Sequence, residues 1–110
     1  MKNDAEKLKS HWLEYQNTGS YIPLLVFLEH SLVETQQLIS SLDFEPFPFR
    51  RLIEFALSSE ADYWASLAVD WLEQGIPINE NIVNAVNLMV EEKRTSQKTR
   101  HRAFGLVKKI

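Results

Sequence analysis

The chain has 110 residues and 12.8 kDa, is 45% apolar and 25% charged, and carries a formal net charge of −3. That length is expected to form one domain spanning residues 1–110, with no room for a second core. The absence of cysteine excludes disulfides, thiolate metal ligands and a cysteine nucleophile, and the lack of any apolar run of ~18 residues argues against a membrane span.

Helical periodicity runs through the whole chain. Asn3, with Glu6 in capping-box spacing, is expected to open a first helix; Leu8, Trp12 and Tyr15 form its apolar stripe and Gly19 ends it. Pro23 suits the first turn of a second, long helix in which Leu24, Leu25, Leu28, Leu32 and Ile39 share a register, closed by Ser40, Ser41 and Asp43. Pro46 and Pro48 forbid a helix through Asp43-Phe44-Glu45-Pro46-Phe47-Pro48-Phe49, and its three phenylalanines are expected to plug one end of the core. Arg50–Leu57 reads as a short helix. Ser59 with Asp62 resembles a capping box for a helix over 60–74, which Gly75 stops. Asn79 caps a helix carrying Ile82, Val83, Val86, Met89 and Val90, and Thr95 or Ser96 caps a last helix with Ala103, Phe104 and Val107 on its apolar side. No segment alternates as a strand does. The expected fold is all-α, a single compact bundle of five to six helices, with the last four forming two helix pairs that stack in a HEAT-like way.

Charge is distributed unevenly. Residues 1–92 hold all 15 acidic residues and five basic ones, a balance of −10, whereas residues 93–110 hold seven basic residues and no acid. Such asymmetry points either to a basic tail docked on an acidic body or to surfaces facing partners of opposite sign. On the 60–74 helix, Trp64, Leu67, Ala68 and Trp71 cluster on one side, so both tryptophans are expected in the core. Asp62, Ser66, Val69 and Glu73 fall opposite and Asp70 on a flank, which makes an outer acidic strip. In the last helix Phe104 is expected in the core. Arg100 lies on the same side, so it should bond a carboxylate or a helix C-terminus, because a buried charge left unpaired is costly. Arg102, Lys98 and Lys109 point outward.

Signs of catalysis are missing. His11, His30 and His101 stand on three different segments without ligand spacing, and no glycine-rich phosphate loop or Gly-x-Ser-x-Gly elbow is present. No catalytic residue, metal ligand or cofactor is therefore assigned, and the protein is expected not to be an enzyme.

Tyr63-Trp64-Ala65-Ser66-Leu67-Ala68-Val69-Asp70-Trp71-Leu72-Glu73-Gln74-Gly75, followed by Ser96-Gln97-x-x-Arg100-His101-Arg102-Ala103, resembles small helical bacterial proteins that are similar to immunity proteins of toxin–immunity pairs, including contact-dependent growth inhibition systems. The resemblance covers residues 63–106 and rests on structural positions, so it transfers no binding residue. It implies a cytoplasmic, non-enzymatic inhibitor that binds one cognate toxin; many such toxins are basic nucleases, which an acidic inhibitor fits.

The reading that follows is a toxin-binding immunity protein acting by electrostatic mimicry of phosphate, with Asp62, Glu73, Asp70 and Glu45 as partner contacts and Trp64, Trp71, Arg100 and Phe104 as structural residues. Its partner is a basic protein, and neither a membrane nor nucleic acid is expected. The alternatives are a nucleic-acid-binding accessory domain using Lys98, Arg102 and Lys109, and a HEAT-like scaffold. Against nucleic acid stands the lack of an exposed aromatic in the basic segment.

Overall fold

The computed structural model describes residues 2–108, with side chains from Glu6 onward. The elements are α1 (Lys2–Thr18), a 3₁₀ helix (Ile22–Glu29), α2 (Leu32–Leu42), α3 (Phe49–Leu57), α4 (Asp62–Glu73), α5 (Glu80–Glu92) and α6 (Gln97–Val107). No strand occurs among the described residues. The chain divides into two compact units, residues 1–48 and residues 49–110.

In unit 1, α1 packs against the 3₁₀ helix. Leu8 and Trp12 are buried as their spacing requires, and Gly19 (φ +74°) ends α1, donating its N–H to the Tyr15 carbonyl at 2.7 Å. Asn3 falls inside α1, whose start precedes it, and its side chain lies outside the described residues. The long second helix expected from Pro23 onward is in fact two. In Ile22–Glu29 five residues are buried: Pro23, Leu24, Leu25, Phe27 and Leu28. A 3₁₀ turn eclipses positions i and i+3, so Leu24 with Phe27 and Leu25 with Leu28 form two adjacent apolar rows. Extended backbone at His30 and Ser31 then breaks the run. Ser31 caps α2 by accepting the Glu34 N–H at 3.1 Å, and its hydroxyl donates to Glu34 Oε1 at 3.2 Å. Buried Thr35 donates its hydroxyl to the Phe27 carbonyl, which ties α2 back across the break.

The aromatic loop divides between the units. Phe44 and Phe47 are buried and stack on Trp12 at 5.2 and 5.7 Å, while Phe27 meets Phe47 edge-on at 5.0 Å. They plug unit 1 as expected. Phe49 instead begins α3 in unit 2 and lies 6.1 Å from Trp71. The Glu45–Pro46 peptide is cis.

Unit 2 consists of two helical hairpins, α3/α4 and α5/α6. Besides pairing within each hairpin, α3 packs on α5 and α4 packs on α6. Helix α4 thus has neighbours on two sides, and this explains a departure from the expected faces. Its buried residues are Ala65, Ala68, Val69, Trp71 and Leu72, so Val69, placed outside by periodicity, is in the core. Trp64 is only half-buried, its ring edge-on to Tyr63 at 4.8 Å. Trp71 is fully buried, as anticipated. The cap expected at Ser59 is also displaced. Ala61 is the N-cap, Ser59 Oγ accepts the Ala61 N–H, and the Asp62 side chain serves elsewhere. Asn79 and Ser96 cap α5 and α6 by accepting the N–H of Ile82 and Thr99.

Helix α6 buries only Thr99 and Ala103, small side chains that let it approach its neighbours closely. Phe104, expected in the core, is 45% exposed. The stripe is rotated by about one residue from the one inferred, because α6 docks through small and polar groups rather than through its largest apolar one.

Candidate functional site

The basic segment docks on acidic residues within unit 2 along the seam between α4 and α6. Three carboxylates of α4 face this seam: Asp62 in its first turn, and Asp70 and Glu73 in its last. Asp62 Oδ1 accepts the backbone N–H of Ser96 at 2.9 Å, at the point where α6 starts. That bond, assisted by hydroxyls of Thr99 and Ser96, holds the Asp62 carboxyl below its ordinary pKa. Midway along α6, Arg102 Nη2 binds Asp70 Oδ1 and Glu73 Oε1, the latter at 2.5 Å. Glu73 first and Asp70 second raise the Arg102 pKa still further above its already high value. Arg102 was expected to point freely into solvent; it is a clamp between two carboxylates instead. The outer acidic strip read from Asp62, Asp70 and Glu73 is, correspondingly, a docking edge for α6.

The remaining basic residues of the segment divide likewise. Arg94 donates to the Ser58 carbonyl at 2.7 Å and lies 3.2 Å from Glu92 Oε1, joining the α3 end to the α5 end. Arg100 Nη1 donates to the Thr95 carbonyl, so its partner is a loop carbonyl of the same hairpin and neither a carboxylate nor a helix C-terminus as expected. Lys98 is exposed, and Lys109 lies outside the described residues.

Two features stand apart from this seam. Lys93 closes α5 in the left-handed conformation (φ 54°) and, with Val90 of α5 and Gln97, Arg100, His101 and Phe104 of α6, lines an open cleft of about 550 Å³. The signal for it was present in the sequence, since 97, 100, 101 and 104 share a helix face, but assigning Phe104 to the core concealed it. In unit 1, His11 and His30 come to one shallow cleft of about 230 Å³ with Lys7, Leu8, Val26 and Glu29, although nothing in their sequence spacing links them. His30 Nδ1 is 3.8 Å from Glu34 Oε2. Among the described residues no group of three His, Asp or Glu is arranged to hold a metal ion.

Glu45 is the one candidate contact that the seam does not use. It is exposed on the loop whose phenylalanines are buried. It belongs to a wider pattern: Glu14, Glu29, Glu34, Asp43 and Glu45 are all exposed, and no basic residue occurs between positions 10 and 48. Unit 1 has seven acidic against three basic residues, net −4; unit 2 has eight against nine, net +1. No helix is long and apolar enough to cross a membrane among the described residues. Compared with known protein families, curated proteins and solved structures, the chain matches none.

Proposed function

We propose that the protein is a non-catalytic, protein-binding inhibitor of the immunity-protein kind, and that its contact surface is the acidic face of unit 1 rather than α4. The observation that carries this reading is the set of exposed carboxylates Glu14, Glu29, Glu34, Asp43 and Glu45 in a stretch with no Lys or Arg. The acids of α4 are engaged within unit 2, whose own net charge is +1, so the unit as a whole presents no acidic field at a distance. Unit 1 keeps a net charge of −4, and a surface with a surplus of one sign attracts a basic partner and speeds its association. A cationic active-site groove on a nuclease-type toxin is the complement that fits, with carboxylates standing where phosphates would bind.

The test is retention of a small basic protein by the tagged chain from its host's lysate, with and without nuclease treatment. Retention is expected in both halves, and the triple variant Glu14→Lys, Asp43→Asn, Glu45→Lys should lose at least about tenfold in affinity at low salt, mostly through slower association. Asparagine at 43 keeps the left-handed C-cap conformation (φ 57°) while removing the charge. Unchanged affinity of that variant removes unit 1 from the interface, and retention that vanishes on nuclease treatment replaces the protein partner with nucleic acid.

A further inference from the structure

We infer that the cleft between α5 and α6 is a second binding surface, built for a short acidic peptide segment anchored by one apolar side chain. This goes beyond the inhibitor reading and does not depend on it, since unit 1 plays no part. Four observations lead there. Phe104 is 45% exposed near the last turn of α6, and an aromatic ring left half in water is the type of residue that dominates binding energy at protein interfaces. Lys93, Arg100 and His101 surround it, and among the described residues no carboxylate lines the cleft. The carboxylates that neutralise Arg102 are on the other side of the helix, so the cations of the cleft are not cancelled by them. Arg100 uses one donor on the Thr95 carbonyl, which fixes its guanidinium, a group with five donors, at the cleft wall.

Dimensions choose between a peptide and a nucleic-acid strand. From Gln97 to Phe104 the α6 wall of the cleft runs for ~11 Å of helix, the length of ~3 residues of extended peptide, so a pentapeptide spans it with one residue over at each end. At the α5 end, exposed Glu91 and Glu92 stand directly before Lys93 in the chain, Glu92 beside Arg94, so the positive field is confined to the cleft's own few cations. A short segment satisfies the cations and stops; a strand of phosphates runs on past them. In the complex an apolar side chain packs on Phe104 beside Val90, flanking carboxylates pair with Lys93 and Arg100, and Gln97 bonds the peptide backbone.

The test uses the full chain and a fluorescein-labelled pentapeptide Asp-Glu-Phe-Asp-Glu at low salt, followed by anisotropy and by amide chemical-shift mapping. Saturable binding is expected, with shifts at Val90, Gln97 and Phe104. Phe104→Ser and Lys93→Glu should each weaken it about tenfold, the equivalent of ~1.4 kcal/mol. Should Phe104→Ser fail to fold, His101→Glu takes its place with the same expected loss. The inference is overturned by any of four results: no saturable binding, equal binding of Asp-Glu-Ser-Asp-Glu, shifts located elsewhere, or tighter binding of a short uridine oligonucleotide at the same salt. The last would make the cleft a single-strand platform instead.

Discussion

The two units dispose of their charge in opposite ways. Unit 2 brings nearly equal numbers of acids and bases together, and it spends them internally: Asp62 on the start of α6, Asp70 and Glu73 on Arg102, Glu92 on Arg94. Unit 1 is held by aromatic packing of Trp12, Phe27, Phe44 and Phe47, and its acidic side chains remain at the surface. The teaching is that acidic residues of similar number and exposure in a sequence mean different things once their neighbours are known. Where complementary cations are matched in number, carboxylates align helices; where acids are in surplus, they shape the field seen by other molecules.

Three perturbations sharpen this contrast. Trp12→Ala should be the most damaging, because it empties the space on which Phe44 and Phe47 stack; a loss of ~3–5 kcal/mol is expected, read by urea unfolding and nearly independent of salt. Arg102→Ala attacks the other mode of cohesion. All three partners are partly exposed, with side-chain accessibilities of 26%, 40% and 43% for Arg102, Asp70 and Glu73, so screening by water limits the loss to about 1 kcal/mol. That difference should shrink in high salt, and a salt-independent loss would show that Arg102 acts through packing alone. The smallest effect concerns Asp62. Its carboxyl is depressed in the folded state, so its contribution is complete above the ordinary pKa of 3.8 and is lost as pH falls through the lower, folded value. Asp62→Asn should therefore lower stability slightly at neutral pH and leave it unchanged in strong acid; an equal deficit at both would deny that ionisation matters there.

Much of the fold was legible because capping residues and helix stops are local. Asn79, Ser96, Gly19 and Gly75 announce their boundaries, and the all-helical class follows from period alone. The break at Ser31 was legible too, through Ser31 and Glu34 in capping-box spacing, but the continuous apolar run across it reads as one helix. What local pattern does not convey is how many neighbours a helix has. Periodicity assigns one buried face, whereas α4 is packed by both α3 and α6, so Val69 goes inside and the acids beside it find partners. The error at Phe104 has the same origin in reverse: α6 is seated by Thr99 and Ala103, and the largest apolar side chain is left at the rim. Glu45 was identified from its place in the aromatic loop, but the wider acidic surface around it depends on which residues fall into unit 1.

The slight apolar seat of α6 has a consequence for motion. A helix that buries two small side chains and is otherwise held by an arginine clamp and a carboxylate at its first turn has its opening free energy set more by charge than by hydrophobic area. Local opening draws on the weakest-held elements first. Raising the ionic strength weakens the arginine clamp, so the last helix should lift from its hairpin more often in high salt.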